Sequence, residues 1–182
     1  MTVNSKLLVL DLDETLVFAT EEQLAIPMNA KVGKYFVYDR PHVREFLAFC
    51  LKEFRVGVWT SSTESYAGEI VDHLFGDTSI LEFVWARSRC TLKFDHHEWT
   101  HLRVKNLKKV KKLGFNLEEI LVIDDTPQKW ARQYGNLVRV SEFEGDSDDT
   151  ELLDLVPYLE YLKSVPNVRE IEKRGWRSWM GE

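Results

Sequence analysis

The chain has little cysteine and no long apolar segment. Its 182 residues include only Cys50 and Cys90, too few for a disulfide framework. No apolar run approaches the roughly 18 residues that a membrane-spanning helix requires. The N-terminus also lacks the basic and apolar segments of a secretory signal. We therefore expect an intracellular protein without a membrane partner.

The chain also lacks an excess of positive charge. Its formal net charge of −6 argues against nucleic acid as a direct partner. The 44% hydrophobic and 30% charged residues are typical of an ordinary globular protein. The length suits one domain with its own core. We therefore predict a single domain over residues 1–182, and we expect a monomer.

Strand-like and helix-like segments alternate along the chain. Three short apolar runs lack polar alternation, as strands buried on both faces do: 6–10, 56–59 and 120–123. A further strand is predicted over 137–140. Helical spacing is present at 41–53, 62–75 and about 149–172. Residues 19–33 are expected to form a loop before a short strand at 35–38, and residues 88–104 show no clear pattern. The alternation predicts an α/β fold with a mainly parallel sheet flanked by helices.

Two acidic pairs stand directly after apolar runs. The first run leads into Asp11-Leu12-Asp13, and the run at 120–123 leads into Asp124-Asp125. In an open α/β sheet, ligands bind outside the carboxyl ends of the strands, so these carboxylates meet if the two strands are neighbours. Such concentrated negative charge requires a cation, and ligation by oxygen alone favours Mg²⁺. The pattern predicts metal-assisted chemistry on a phosphate.

The acidic residues suit a two-step transfer of phosphate. Asp11 can attack phosphorus and form an aspartyl-phosphate. Asp13 can protonate the departing alkoxide and later deprotonate the attacking water. Asp124 is the expected metal ligand, with Asp125 in support. Thr15 is expected to steady the loop after the first strand through side-chain hydrogen bonds.

Cationic and hydroxyl groups for the phosphate are also present. Thr60 follows the strand at 56–59, and the next helix begins close by with free backbone N–H groups. Ser61 and Glu64 have the spacing of a capping box, which predicts a helix start near residue 62. Lys105 is a candidate positive charge for both the phosphate and the attacking carboxylate.

A simpler interpretation of Asp11 and Asp13 is that they are turn residues or helix N-caps, as many aspartates are. One Asp-x-Asp alone does not decide between the two interpretations. Four polar elements occur in order along the chain, and three of them follow strands, which favours a functional site. They are the Asp11-Leu12-Asp13 segment, Thr60, Lys105 and the Asp124-Asp125 pair.

The same residues resemble a known family. Asp11–Leu16 resembles the first motif of the haloacid-dehalogenase superfamily of phosphatases, and in particular the branch that acts on the carboxy-terminal domain of RNA polymerase II, with its small relatives. Val58–Ser62, Lys105–Leu107 and Asp124–Pro127 resemble that branch's second, third and fourth motifs. The similarity extends from residue 6 to about residue 165.

This resemblance implies a Rossmann-like sheet with an aspartate nucleophile and Mg²⁺. Asp11 would be the nucleophile and a metal ligand. Asp13 would be the acid/base and would bind the metal through its backbone carbonyl, and Asp124 would be a further ligand. The implied activity is Mg²⁺-dependent hydrolysis of phosphoserine or phosphothreonine in a protein or peptide partner.

By the same resemblance, Thr60 with Ser61, and Lys105, would bind the substrate phosphate. The segment between the first and second motifs is short and has room for little more than a hairpin insert, where relatives have a larger one. Because that insert shapes the substrate groove, the substrate need not be a polymerase tail. Two alternatives to a protein phosphatase stay open. One is a phosphatase for small phosphate esters, and the other is a non-catalytic module that binds phosphoprotein or peptide.

Two further patterns have a functional and a simpler interpretation. His97–His101 matches the zinc-protease pattern HExxH, but its residues favour a polar loop near the pocket over a helix. The basic run at 103–112 is typical of a solvated helix face, or of an electropositive lip that attracts acidic substrate.

Overall fold

A computed structural model of the protein describes residues 6–95 and 99–179. Within these residues there are ten strands, β1 to β10 in chain order: Leu7–Leu10, Val17–Thr20, Ala30–Val32, Tyr35–Asp39, Arg55–Trp59, Val84–Trp85, Thr91–Asp95, Thr100–Val104, Ile120–Asp124 and Leu137–Arg139. The α-helices there are α1 to α4: Val43–Glu53, Glu64–Phe75, Lys108–Lys111 and Glu151–Ser164.

Five parallel strands form the central sheet, in the order β10-β9-β1-β5-β6. β1 lies between β5 and β9, and Leu10 is aligned with both Val58 and Ile123. Every residue of β1 and β9 is buried, which explains why their sequences lack alternation. The predicted α/β fold with a mainly parallel sheet is confirmed, and the ends of β1, β5 and β9 lie at one edge.

The sheet is covered on both faces by separate apolar clusters. Leu8 and Leu10 of β1 belong to one cluster, which includes side chains of α1, α2 and α4. Leu7 and Val9 belong to the other, which includes Trp130 and α3. Successive residues of a strand point to opposite faces, so one four-residue strand contributes to both halves of the core.

A second, antiparallel sheet lies between β1 and α1 in the chain, with the order β2-β4-β3. The prediction of a loop over 19–33 is therefore wrong at both ends, where β2 and β3 form. These strands have four and three residues, too short for alternation to be visible in the sequence. The β3–β4 pair is the expected short hairpin, and β2 extends it by one strand.

Tertiary contacts decide one stretch that the sequence left unassigned and one local prediction that differs from the structure. The unpatterned stretch after residue 90 forms an antiparallel hairpin of β7 and β8. The predicted capping box is wrong, since α2 begins at Glu64 after Thr63, and the Glu64 carboxylate accepts from the backbone N–H of Ser88 at 2.9 Å. No helix among the described residues is long and apolar enough to cross a bilayer.

Buried Arg40 fixes the loop that follows β1. Its guanidinium donates two hydrogen bonds to Asp149, at 2.9 and 2.8 Å, and reaches the carbonyls of Thr15 and Ser141. Burial alone would raise the pKa of Asp149, but the Arg40 charge holds it below its ordinary value. The ion pair therefore connects the 142–149 segment to the loop that contains Asp11 and Asp13.

Candidate active site

Three neighbouring strands deliver polar side chains to one edge of the sheet. Asp11 follows β1, Thr60 follows β5, and Asp124 ends β9. The backbone N–H of Asp11 still pairs with the carbonyl of Ile123 at 3.0 Å, so the ladder extends to the site itself. All three side chains are buried. The structure thus brings the two acidic pairs together: Asp11, Asp124 and Asp125 each offer a carboxylate oxygen within 4.8 Å of the others.

Lys105 lies between two of these carboxylates. Its Nζ is 3.0 Å from Oδ1 of Asp11 and 2.6 Å from Oδ2 of Asp124, and its side chain is fully buried. The residue follows β8, and its backbone N–H donates to the carbonyl of Lys129 at 2.9 Å. A buried ammonium requires such anionic partners, because an uncompensated buried charge is very costly.

Lys129 provides a second ammonium that the sequence analysis did not identify. It extends from the 3₁₀ turn Pro127–Trp130, and its Nζ is 2.9 Å from Oδ2 of Asp11 and 3.7 Å from Oδ1 of Asp124. Burial alone would lower the pKa of Lys129, but the charges of Asp11 and Asp124 raise it well above its ordinary value. The side chain is therefore charged.

The pKa values of Asp11 and Asp124 are shifted in opposite directions. Burial opposes ionisation of Asp11, but Lys105 and Lys129 outweigh it and hold the pKa of Asp11 well below its ordinary value. Burial and the nearby Asp11 charge raise the pKa of Asp124 to about 6. Asp11 is therefore the more readily ionised of the two.

Asp124 has several fixed donors besides Lys105. The indole N–H of Trp130 donates to its Oδ2 at 2.7 Å, and the backbone N–H of Thr126 donates to its Oδ1 at 2.9 Å. The neighbouring Asp125 accepts from the hydroxyls of Thr15, at 3.0 Å, and Thr126, at 2.6 Å. The bond from Thr15 connects the β9 acidic pair, Asp124 and Asp125, to the loop after β1.

Asp13 lies on the open side of the site, held by hydroxyl groups. Ser62 donates to its Oδ2 and Tyr66 to its Oδ1, each at 2.6 Å, with Thr60 farther away at 3.4 Å. Burial and the Asp13 charge raise the pKa of Tyr66, so its phenol stays protonated and donates. The sequence analysis did not assign Ser62 and Tyr66 this role, since the contacts join α2 and its preceding loop to the loop after β1.

A cavity of about 510 Å³ opens above these groups. Asp11, Asp13, Thr60 and Ser61 line it, and Lys129 does so as well. Lys105 is not among the described residues that line the cavity, because it is buried beneath the carboxylates. Of the two ammonium groups, the one predicted from the sequence supports Asp11 from behind, and the unpredicted one faces the substrate space.

Further titratable residues line the cavity: Glu14, Arg87, His101 and Arg103. Burial and the charges of Asp13 and Asp125 raise the pKa of Glu14 to about 7. Arg87 also donates to the Ser61 carbonyl at 3.1 Å.

The acidic cluster has the donor set of a site for a hard divalent cation. Its ligand atoms are carboxylate oxygens that lie close together, as such a cation prefers. The residues present therefore fit a metal ion.

The HExxH pattern does not form a helix over its described part. His97 and Glu98 lie outside the described residues, while Thr100 and His101 belong to β8. A zinc protease needs both histidines on one helical face, one turn apart. His101 lines the cavity, as the alternative of a polar loop near the pocket predicts, but it does so from strand β8 and not from a loop.

The family can now be assigned from sequence comparison. The model of the NLI interacting factor-like phosphatase family matches residues 6–169. This chain belongs to that family. It is therefore a phosphatase of the haloacid-dehalogenase type, and the resemblance seen in the motifs is confirmed.

Individual relatives agree with this assignment. The chain is 27% identical over 187 residues to CTD nuclear envelope phosphatase 1 of Xenopus tropicalis, covering 94% of this chain and 73% of that protein. It is 30% identical over 175 residues to a probable C-terminal domain small phosphatase of Dictyostelium discoideum, covering 92% of this chain and 54% of that one.

A solved structure shares the fold. Fcp1, an RNA polymerase II CTD phosphatase, superposes with a TM-score of 0.60 at 18% identity, over 92% of this chain and 52% of that chain.

Proposed function

We propose that this phosphatase hydrolyses phosphate monoesters in two steps, through an aspartyl-phosphate on Asp11, with Mg²⁺ as its cofactor. The observation that carries the proposal is the state of Asp11, which is buried, readily ionised and placed at the floor of an open cavity. A carboxylate that stays ionised between two ammonium groups is a nucleophile ready to attack phosphorus.

In the first step an oxygen of Asp11 forms a bond to phosphorus, and the bond from phosphorus to the substrate oxygen breaks. Asp13 gives the departing oxygen its proton. In the second step water attacks phosphorus and Asp13 takes a proton from that water. The bond from phosphorus to the Asp11 oxygen breaks, which releases inorganic phosphate and regenerates the Asp11 carboxylate. The hydrogen bonds from Ser62 and Tyr66 orient Asp13 toward the cavity throughout.

The phosphate would be bound by neutral and cationic donors from different elements. The Thr60 hydroxyl lies at the cavity wall, and Ser61 lies beside it before α2. Lys105 would offset the charge of Asp11 and of the phosphate from behind. Bound Mg²⁺ would be held by Asp11, the β9 acidic pair and the Asp13 backbone carbonyl, and would neutralise charge on the transferring phosphoryl group.

We propose phosphoserine or phosphothreonine in a protein as the substrate. The relatives named as phosphatases of a protein C-terminal domain support this choice. The cavity also presents Arg87 and Arg103 beside the acidic floor, where acidic residues flanking a phosphorylated side chain would meet them. We also propose that residues 1–182 form a single domain, that the protein is a monomer and that it is intracellular.

Phosphate release by the purified protein tests the proposal. We expect release from p-nitrophenyl phosphate and from a phosphoserine peptide in MgCl₂, loss of both in excess chelator, and recovery when Mg²⁺ is restored. Equal rates in chelator would contradict the role of Mg²⁺. Phosphopeptide binding without release would identify a non-catalytic module, and turnover of small esters alone would contradict a protein substrate.

A further inference from the structure

Lys129 contacts carboxylates that would hold the proposed metal. Its Nζ pairs with Oδ2 of Asp11 and lies 3.7 Å from Oδ1 of Asp124, and the Asp125 charge also acts on it. Asp11, Asp124 and Asp125 are the residues whose oxygens lie close enough to share one ion. The lysine therefore contacts the same anionic cluster that makes the site suitable for a cation.

The formal charges of the cluster show what this lysine does. Three carboxylates with Lys105 and Lys129 leave one net negative charge. If a divalent ion enters while both ammonium groups stay in place, the net charge of the cluster changes from negative to positive. If Lys129 were uncharged, two negative charges would remain, and the same ion would neutralise them. At separations of a few ångströms in a buried site, one such charge changes ion affinity strongly.

The position of the Lys129 side chain also allows its ammonium group to move away from the carboxylates. The Lys129 side chain is 14% exposed and lines the cavity, whereas the Lys105 side chain is 0% exposed. Lys129 belongs to a 3₁₀ turn, and its long flexible stem can carry the ammonium from the carboxylates toward the cavity. Buried Lys105 has no such route, so the two lysines differ in function.

We propose that Lys129 is a positioning residue that acts as a built-in counter-ion: it neutralises the metal-free cluster and competes with Mg²⁺ for it. This inference rests on the proposed metal-dependent function. Competition makes the metal bind weakly while the cavity lacks an anion. A phosphate in the cavity offers Lys129 a new partner and so strengthens metal binding. Metal and substrate therefore bind cooperatively, each strengthening the binding of the other.

Titration calorimetry with MgCl₂ alone tests the competition directly. We expect the Lys129→Met variant to bind Mg²⁺ at least about tenfold more tightly than the unmodified protein, because a positive charge next to the ion is gone. Lys129→Arg, which keeps the charge, should bind Mg²⁺ with nearly unchanged affinity. A lysine with a merely structural role would not tighten metal binding when removed.

Lys52→Met serves as a matched control for the lost charge. Lys52 is 81% exposed near the end of α1, before β5 begins, and so lies away from the carboxyl ends of the strands. Its loss should leave Mg²⁺ affinity unchanged.

A second measurement reports on the metal-free protein. In chelator, Lys129→Met should unfold at a lower temperature than the unmodified protein. Addition of MgCl₂ should raise its unfolding temperature by more than it raises that of the unmodified protein. Equal or weaker Mg²⁺ binding by Lys129→Met would overturn the competition while leaving the metal site intact. No Mg²⁺ binding to either protein would overturn the metal site itself, and the competition with it.

Discussion

Asp11→Asn is expected to lower the rate of phosphate release from p-nitrophenyl phosphate by at least about 10⁴-fold, the scale seen when an enzyme loses its nucleophile. An amide of the same shape carries no charge and does not form the acyl-phosphate bond. Asp11 is also the carboxylate that both ammonium groups keep ionised. Initial rates in MgCl₂ at saturating substrate are the measurement.

The fold should survive this change. Lys105 and Lys129 both retain Asp124 as an anionic partner. Asp72→Asn is the control, since Asp72 is an exposed residue of α2 outside the cavity. Its rate should match that of the unmodified protein. Turnover within tenfold of that rate in folded Asp11→Asn would show that a different group attacks phosphorus.

Lys105→Met is expected to have the largest combined effect on stability and turnover. The side chain is wholly buried, and its Nζ lies 3.0 Å from Asp11 and 2.6 Å from Asp124. Removing one partner of a buried ion pair costs about 3–5 kcal/mol, because the remaining charge is uncompensated. Urea unfolding of the metal-free variant measures this loss. Activity should fall as well, since the charge that keeps Asp11 ionised is reduced.

The control for Lys105→Met is again Lys52→Met, which removes an exposed lysine and should change the free energy of unfolding by less than about 1 kcal/mol. If Lys105→Met does not fold, Lys105→Arg keeps the charge in a bulkier side chain, so it should fold with a smaller loss of stability. A Lys105→Met variant as stable and active as the unmodified protein would contradict the buried charge network.

The sequence predicts the strands that build the site because these strands are buried on both faces. β1, β5 and β9 appear as unbroken apolar runs, and a parallel sheet places the residues that follow them at one edge. The convergence of Asp11, Thr60 and Asp124 follows from that rule together with the strand order, in which β1 lies between β9 and β5. Their catalytic and binding roles stay predictions until they are measured.

The parts that the sequence did not predict depend on contacts between distant segments. Lys129 stands five residues after Asp124 and resembles an ordinary surface charge, and only the 3₁₀ turn directs it back to Asp11. Tyr66 reaches Asp13 from α2, across 53 residues of sequence. The short strands β2 and β3 carry too few residues for any periodicity.

The most direct test of the central claim is a search for phosphate bound to Asp11. The protein is mixed with a ³²P-labelled phosphoserine peptide in MgCl₂, quenched in acid within one turnover, digested with pepsin and mapped by mass spectrometry. We predict up to one phosphoryl group per chain, on the fragment containing Asp11, released by hydroxylamine and absent from Asp11→Asn. Rapid turnover with no covalent label, or a label on another residue, would contradict the account.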